Sequence, residues 1–239
     1  MGKWKLRLEK LDWREEAKKR VASEAVKHVK DGFVIGLGSG STAAYVINEI
    51  GSMKKQDRLE LLGVPSSSQA MLLAVQSGIP LTTLDEHPNL DLAIDGADEV
   101  DNKLNMIKGG GGALTKEKIV ASAAKQVIIV ADETKLVEKL GTTIRVPIEV
   151  LPFALATVTS SIKKLGGNPF LREGKRKVGA VITDNGNYIL DVEFGSINDA
   201  KELNQKLKFI PGIIETGLFI DIADIVYLGK EDGIIKLQK

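Results

Sequence analysis

Apolar side chains recur at every fourth position early in the chain. The residues in this pattern are Ala17, Val21, Ala25 and Val29. Because a helix returns to the same face after three or four residues, this spacing predicts an amphipathic helix over residues 13–30. Asp31 and Gly32 come next and are expected to end the helix.

Short runs of consecutive apolar residues alternate with further stretches of helical character. The runs that predict strands lie at residues 33–37, 59–64, 79–84, 90–94 and 127–130. The predicted helices run from the turn at residues 38–42 to Ile50 and over residues 69–77 and 115–124. Apolar strands separated by helices are typical of a parallel sheet that is covered on both faces. We therefore predict an α/β fold: a Rossmann-like, mostly parallel sheet with helices on both faces.

The order of predicted elements changes after residue 143. The elements are a strand at 144–150, a helix at 154–165, a turn at 166–169, strands at 178–183 and 188–194, a helix at 199–207 and a strand at 213–219. Asn185 and Gly186, between the two middle strands, favour a tight hairpin. This β-α-β-β-α-β order predicts a ferredoxin-like α+β unit.

Two domains are therefore predicted. A smaller ferredoxin-like domain spans residues 144–219 and is inserted into a Rossmann-like catalytic domain made of residues 1–143 and 220–239. Residues 224–239 are expected to return to the main sheet.

Composition argues against several classes of protein. The 239 residues include 33 basic and 32 acidic side chains, and a net charge of +1 provides no broad positive field for nucleic acid. No apolar run approaches the roughly 20 residues of a membrane span. The charged first 20 residues lack the apolar core of a signal peptide. We expect a cytoplasmic protein that binds neither nucleic acid nor membrane, and the absence of cysteine excludes disulfides and thiolate chemistry.

A serine- and glycine-rich turn joins the first predicted strand to the next helix. Its sequence is Gly38-Ser39-Gly40-Ser41-Thr42. Glycines let backbone N–H groups converge on an anion, a helix N-terminus favours negative charge, and the hydroxyls add donors. We predict that residues 39–42 bind a phosphate group.

Two other interpretations of this turn are open. Gly38, Gly40 and Ala43 also fit the permissive dinucleotide-binding fingerprint. That site needs an acidic residue at the end of the following strand, where this chain has Val64-Pro65-Ser66-Ser67. The turn could also be only a serine-capped helix start.

Acidic residues follow directly on the strand predicted at 90–94. Asp95 and Asp98 would emerge at its carboxyl end, where open α/β sheets bind ligands. Further on, Lys108 precedes four consecutive glycines, and Glu117 lies near the start of a helix. Four glycines carry a conformational cost that a purely structural loop rarely justifies. We predict that the loop folds back and brings Asp95, Asp98, Lys108 and Glu117, the carboxylate–lysine cluster, to one substrate.

These acids have alternative interpretations. The order D-G-A-D-E-V-D does not match a calcium-binding loop, and a neighbouring lysine would compete with a cation, so no metal is expected. Taken singly, each acid also fits a turn or a helix start. His28 and His87 are expected to be structural or at the surface, and residues 172–177 to form a solvated loop.

Five segments, in order along nearly the whole chain, resemble those of a known family. They are Gly36-Leu37-Gly38-Ser39-Gly40-Ser41-Thr42-Ala43, Ser66-Ser67-Ser68-Gln69, Asp95-Gly96-Ala97-Asp98-Glu99-Val100, Met106-Ile107-Lys108-Gly109-Gly110-Gly111 with Thr115-Lys116-Glu117-Lys118, and Ala131-Asp132-Glu133-Thr134-Lys135. Together they resemble ribose-5-phosphate isomerase of type A. Ser39 stands where that family often has Thr, and Gly112 replaces a more usual Ala.

The resemblance implies interconversion of D-ribose 5-phosphate and D-ribulose 5-phosphate in the non-oxidative pentose phosphate pathway, in a homodimer or homotetramer without metal or redox cofactor. It assigns Glu117 as the catalytic base, which moves a proton between C2 and C1 through an enediolate, and Asp95, Asp98 and Lys108 as other active-site groups. The implied substrate and phosphate contacts are Ser39, Gly40, Ser41, Thr42, Gly96, Ala97, Gly109, Gly110, Gly111, Lys135 and Lys18.

Two other functions compete with this one. A sugar-phosphate-sensing effector domain without catalysis would need a DNA-reading module, but only one helix is predicted before the first strand. A nicotinamide-dependent oxidoreductase would need the missing acid at the end of the second strand.

Overall fold

A computed structural model describes residues 2–174 and 178–239, with side chains from residue 13 onward. Its helices are α1 (Gly2–Ala25), α2 (Ser41–Asp57), α3 (Ser68–Ser77), α4 (Leu114–Ser122), α5 (Leu155–Lys164) and α6 (Ala200–Lys208). Its strands are β1 (Val34–Leu37), β2 (Leu62–Pro65), β3 (Leu92–Asp95), β4 (Glu99–Val100), β5 (Met106–Ile107), β6 (Val127–Asp132), β7 (Val146–Val150), β8 (Asn168–Leu171), β9 (Tyr188–Glu193), β10 (Ile213–Thr216), β11 (Leu218–Phe219), β12 (Ile225–Gly229) and β13 (Ile234–Gln238). Short 3-10 turns lie at Val26–His28, Glu133–Lys135 and Pro152–Ala154.

The main sheet has the strand order β13-β12-β6-β3-β1-β2. Its strands are parallel except β13, which runs antiparallel to β12. From β1 the chain moves outward to β2 and then returns to β3 on the other side of β1. This reversal opens a crevice between the carboxyl ends of β1 and β3, the place where open α/β sheets bind ligands.

Side chains alternate between the two faces of the main sheet. Ile94, Val130 and Tyr227 pack with apolar residues of α1, α2 and α3. Ala93 and Ile129, each next to one of these in sequence, pack on the other face with α4 and the short strands β4, β5 and β11. The predicted α/β fold with helices on both faces is confirmed.

A second sheet is antiparallel, with the order β10-β7-β9-β8. When β7, β8, β9 and β10 are numbered 1 to 4 in chain order, the order across the sheet is 4-1-3-2. The helices α5 and α6 are the two helices of the split β-α-β motif. Val146, Ile148, Val158 and Leu207 lie in its own apolar core. The ferredoxin-like arrangement is confirmed, and the domain boundaries at 143/144 and 219/220 stay a prediction.

A third sheet was not predicted. It joins β11, β5 and β4, strands of two residues each that are too short to show any periodicity. The N–H of Asp98 donates to the carbonyl of Ile107 at 2.9 Å, and that of Lys108 to the carbonyl of Gly217 at 2.9 Å. This small sheet therefore fixes the backbone at two members of the carboxylate–lysine cluster.

The first helix begins earlier and ends earlier than predicted. α1 starts at Gly2, and after Ala25 the chain continues only as a 3-10 turn to His28. The apolar repeat begins at Ala17, but the preceding residues are rich in Lys, Arg, Glu and Leu, which favour a helix without an apolar face. Among the described residues, no helix has the length and hydropathy needed to cross a bilayer.

Two predicted strands are wrong. Residues 79–84 make a single bridge from Leu81 to Gly63, next to Pro80, which has no N–H to donate. Residues 178–183 make isolated bridges only, since Gly179 takes a φ of +95° that interrupts extended backbone. Beside β9, on the side away from β7, lies β8 in place of residues 178–183, and β8 includes residues expected to form the turn at 166–169.

Candidate active site

A cavity of about 340 Å³ opens at the carboxyl ends of β1 and β3. Its walls come from α1, the turn after β1, the segment after β3, the glycine loop and the segment after β6. The lining residues are Arg14, Glu15, Lys18, Ser39, Gly40, Ser41, Thr42, Gly96, Ala97, Asp98, Lys108, Gly109, Gly110, Gly111, Glu117, Asp132, Thr134 and Lys135.

The turn after β1 is shaped by close contact with Asp95. A Cβ atom on Gly38 would lie 2.2 Å from Asp95 Oδ1, so only glycine fits there. The N–H of Ser39 donates to Asp95 Oδ1 at 3.0 Å, and its hydroxyl donates to Ser67 Oγ at 2.7 Å. Both donors of Ser39 are thus engaged within the protein. The first turn of α2, which has no side-chain cap, faces the cavity with Ser41 and Thr42.

Basic side chains line the same cavity. Lys18 is held by Glu15 at 2.8 Å, and Glu15 in turn accepts from the Tyr45 hydroxyl at 2.7 Å. Arg14 and Lys135 also line the cavity, and neither forms an ion pair within the part of the chain that the structure describes. Three cations and a helix N-terminus therefore line one cavity, an arrangement that favours a bound anion.

Lys108 is an ammonium group buried at the base of the cavity, only 4% exposed. Its Nζ donates to the carbonyl of Gly96 at 2.5 Å and lies 2.9 Å from Asp95 Oδ2 and 3.3 Å from Glu117 Oε2. Burial alone would lower the pKa of Lys108, but the attraction of Asp95 and Glu117 outweighs burial and raises it. The lysine therefore stays charged.

Glu117 lies beside Lys108 in the first turn of α4 and is 6% exposed. Its Oε2 has no hydrogen-bond partner among the described residues, although Lys108 Nζ approaches it. Burial raises the pKa of Glu117 to about 7, because the lowering effect of Lys108 is further opposed by the charges of Asp95 and Asp98. Glu117 can therefore take and release a proton near neutral pH, as a general acid–base catalyst must.

Residues 109–112, the glycine loop, contact the cluster at Asp98. Gly109 and Gly112 have φ angles of +105° and +84°, which favour glycine, and the N–H of Gly112 donates to the carbonyl of Gly109 at 3.0 Å. The N–H of Gly110 donates to Asp98 Oδ2 at 2.8 Å. Backbone donors and a carboxylate therefore lie together at the cavity wall.

Arg172 is bound to the glycine loop. It is expected to lie in a solvated loop, and that prediction is wrong: its side chain is 16% exposed and donates to the carbonyls of Gly109 and Gly110. These partners are 63 and 62 residues away along the chain and are backbone atoms, so no side-chain pattern indicates them. Residues 175–177 of the same predicted loop lie outside the described residues.

The predicted site residues line this cavity, with the exception of Asp95. Asp95 lies beneath it, where Oδ1 accepts the N–H groups of Ser39 and Gly96 and Oδ2 faces Lys108. This geometry suits Asp95 to holding the turn and the lysine rather than to direct contact with substrate hydroxyls.

Four lining residues were missed: Arg14, Glu15, Asp132 and Thr134. The sequence contains two indications that these residues belong to the site. Arg14 is four residues before Lys18 and Glu15 is three before it, which places them on one helical face. Asp132 ends β6, at the carboxyl edge of the main sheet, where it accepts the N–H of Thr134 at 3.1 Å.

The described residues offer no obvious metal site. Within residues 2–174 and 178–239, no group of three His, Asp or Glu side chains is arranged to hold a metal ion. Independence of a metal stays a prediction.

The fold and the cavity together define a class: a Rossmann-like α/β protein with an anion-binding helix start beside a buried carboxylate–lysine cluster suited to proton transfer. The family model for ribose 5-phosphate isomerase A matches residues 62–233. Ribose-5-phosphate isomerase A of Thermosynechococcus vestitus is 52% identical over 90% of this chain and 92% of its own length. That of Thermococcus kodakarensis is 47% identical over 94% of this chain and 99% of its own length.

Solved structures agree with these sequence matches. Ribose 5-phosphate isomerase A from Methanocaldococcus jannaschii superposes with a TM-score of 0.91 and 48% identity, covering 95% of this chain and all (100%) of that one. A D-ribose-5-phosphate isomerase in complex with phospho-erythronic acid gives a TM-score of 0.92 and 47% identity, covering 94% and 99%. The chain belongs to the ribose 5-phosphate isomerase A family.

The raised pKa of Glu117 can be measured directly. In a ¹³C NMR titration of glutamate carboxyl carbons, we expect one resonance with a midpoint near pH 7, and Glu117→Gln should remove it. Asp98→Asn should move the midpoint to lower pH, because it removes a negative charge that raises the pKa. The exposed variant Asp232→Asn is the control and should leave the midpoint in place. A midpoint unmoved by Asp98→Asn would contradict the electrostatic account.

Proposed function

We propose that this protein interconverts D-ribose 5-phosphate and D-ribulose 5-phosphate, an aldose–ketose isomerisation of the non-oxidative pentose phosphate pathway. The observation that carries the proposal is Glu117, a buried carboxylate with a pKa of about 7 that faces a cavity beside a buried ammonium group. The relatives described above carry the name of this activity.

The phosphate group of the substrate would bind at the basic end of the cavity. Ser41 and Thr42 lie in the uncapped first turn of α2, and Lys18 and Lys135 line the same cavity. Arg14 adds a further cation to the lining of this cavity. Anchoring the phosphate there would direct C1 and C2 toward Glu117, so that binding energy orients the reacting carbons.

Glu117 would act first as base and then as acid. It takes the proton from C2 of the open-chain aldose, and the electrons of that C–H bond form the C1–C2 double bond while the C1 carbonyl oxygen becomes an oxyanion. The protonated Glu117 then gives its proton to C1, and the hydroxyl proton at O2 passes to O1, which leaves a ketone at C2. A pKa near the working pH lets one carboxyl group serve both steps.

Lys108 would stabilise the enediolate. Once Glu117 has taken the proton, it no longer carries negative charge, and the ammonium 3.3 Å from its Oε2 is left to face the new oxyanion. Fixed donors aimed at such a charge need no reorganisation during the reaction, and each contributes about 10²- to 10³-fold to the rate in well-studied enzymes.

The two aspartates would have different roles. Asp98 lines the cavity and accepts the N–H of Gly110 at 2.8 Å, so it can also accept a substrate hydroxyl and assist ring opening. Asp95 would act through Lys108 and Ser39, both of which it contacts. Asp95 is therefore a positioning residue in this proposal.

The same function supports a cytoplasmic location. Sugar phosphates carry charge and do not pass through a bilayer unaided. An enzyme that consumes and supplies them therefore works in the compartment where they are made.

We further propose that the protein is a homo-oligomer, a dimer or a tetramer, whose interface includes the antiparallel sheet layer. Phe153 and Phe209 are 97% and 86% exposed. Their segments are adjacent, because the N–H of Leu151 donates to the carbonyl of Gly212 at 2.9 Å. Large apolar side chains exposed together mark interaction surfaces, and a two-fold axis would cover the patch with its own copy.

Glu117→Gln tests the base. The amide keeps the shape of the side chain but cannot accept the proton, so we expect kcat for ribose 5-phosphate to fall by about 10³-fold. Affinity for ribose 5-phosphate, measured by calorimetry, should stay within about tenfold. Glu138→Gln, at an exposed position, is the control and should be fully active. Near-normal turnover by Glu117→Gln would refute the assignment, and a wild-type protein that binds the sugar phosphate without turnover would support the sensor instead.

A chelator tests the metal-free mechanism. Because Lys108 supplies the positive charge beside the reacting oxygens, kcat and KM should be unchanged after dialysis against EDTA. The measurement is the same assay before and after dialysis. Loss of activity that a divalent cation restores would overturn this part of the proposal.

Light scattering during gel filtration tests the oligomer. The double variant Phe153→Ser/Phe209→Ser should elute as a smaller species than the unsubstituted protein, because it removes the exposed aromatic patch. Leu72→Ser changes an apolar residue on α3 that is 58% exposed and provides the matched comparison. Dissociation by Leu72→Ser but not by the double variant would place the interface elsewhere.

A further inference from the structure

Arg172 connects the antiparallel sheet to the glycine loop of the active site. It directly follows β8, and its Nε and Nη2 donate to the two carboxylate oxygens of Asp191 on β9 at 2.8 and 2.5 Å. Such a bidentate pair fixes the plane of the guanidinium group. Both side chains are largely buried, at 16% and 21% exposure, so the pair is well shielded from solvent.

The remaining nitrogen of this guanidinium is directed at the glycine loop. Nη1 donates to the carbonyl of Gly109 at 2.9 Å and to that of Gly110 at 3.1 Å. One fixed group thus holds two consecutive peptide carbonyls on the same side of the loop.

This contact sets the direction of the loop's N–H groups. The described peptide bonds are all trans, and in a trans peptide the carbonyl of one residue and the N–H of the next point in opposite directions. The N–H of Gly110 accordingly points away from Arg172 and donates to Asp98 Oδ2 at 2.8 Å, at the cavity wall. The N–H of Gly111 likewise points away from Arg172, and among the described residues it has no hydrogen-bond partner.

The glycine loop has little means of holding this orientation itself. Glycine populates both halves of backbone conformational space, so each peptide plane in the loop can flip at low cost. The internal hydrogen bond from Gly112 to Gly109 closes the turn but leaves the 110–111 peptide without a partner for its N–H. Arg172 supplies the external contact that fixes this plane.

We propose that Arg172, locked by Asp191, is a positioning residue that presents the Gly111 N–H to the oxyanion formed during isomerisation. The inference rests on the proposed function and deepens it. Arg172 itself donates to protein carbonyls and does not line the cavity, so it acts through the loop. Its effect should be confined to the step in which negative charge develops on the substrate oxygens.

The test compares Arg172→Lys and Asp191→Asn with Arg145→Lys. A lysine keeps the charge but cannot bind Asp191 and two carbonyls at once, and Asp191→Asn removes the bidentate anchor. Arg145 is the matched control, because it directly precedes β7 and pairs with Glu193 of β9 at 2.5 Å, and its hydrogen bonds and ion pair among the described residues are to Glu193 and not to the glycine loop. We expect Arg172→Lys and Asp191→Asn each to lower kcat for ribose 5-phosphate by about 100-fold with KM changed less than about threefold, as for loss of one oxyanion donor.

Two ligands separate positioning from a general structural role. Phospho-erythronic acid carries a carboxylate where the enediolate charge would develop, and its affinity should fall by about 100-fold in both variants. Inorganic phosphate tests only the anion end of the cavity, and its affinity should change less than about threefold. Equal loss of affinity for both ligands would show that Arg172 only supports the fold. If the unsubstituted protein is active and the variants have the same kcat, the proposal is overturned.

The failure of the proposed function looks different from the failure of this inference. If the unsubstituted protein does not turn over ribose 5-phosphate, the proposed function fails. If that protein is active and Arg172→Lys is equally active, only the positioning role fails. Unfolding by denaturant is measured for each variant, and a drop in stability with normal kcat in the folded fraction also counts against the proposal.

Discussion

The buried ammonium group of Lys108 is the constraint around which the site is organised. A charged amine without water is strongly unfavourable unless it is paired and hydrogen-bonded. Asp95, Glu117 and the carbonyl of Gly96 provide these contacts at 2.9, 3.3 and 2.5 Å. Each of these contacts in turn requires other parts of the chain to be in place. Asp95 can lie there only because the β1 turn has glycine at position 38, and the unpredicted small sheet fixes the backbone from which Lys108 extends.

The same arrangement explains why Glu117 is reactive. Asp95 has its oxygens occupied by two N–H groups and by Lys108, so it is well solvated by the protein. Glu117 Oε2 lies 3.3 Å from Lys108 Nζ, but the two atoms do not have the geometry of a hydrogen bond. This buried oxygen therefore has no hydrogen-bond partner among the described residues. Burial of this carboxyl group raises the pKa of Glu117 to about 7, so it can take up a proton near neutral pH and act as the base.

Prediction from the sequence succeeded where local pattern and chain order determine the structure. Apolar runs identified four strands of the main sheet, β1, β2, β3 and β6, and the last segment was expected to return to that sheet, as β12 and β13 do. Because the carboxyl ends of parallel strands share one edge, the sequence pattern was enough to place Asp98 beside the turn at residues 39–42. Strands of two residues, such as β5, are too short to show the alternation of apolar and polar side chains from which a strand is predicted. The error at residues 178–183 arose because Gly179 breaks a run that looks extended. The contact of Arg172 with the glycine loop was missed because its partners in that loop are backbone carbonyls, whose positions depend on the completed fold.

The antiparallel sheet therefore has a role beyond adding apolar core. Through Arg172 it holds the glycine loop, and through buried Glu149 on β7 it accepts the hydroxyl of Thr115, two residues before Glu117 in α4. Glu149 also accepts from Thr183, Asn185 and Asn187, so four neutral donors satisfy a carboxylate that has no exposure. A misplacement of about 1 Å is enough to cost a large part of a catalytic rate. A loop made of glycine and the first turn of a short helix cannot maintain such tolerance alone, so the second sheet is best understood as the rigid support that keeps the acid–base group and the loop donors aligned across the cavity.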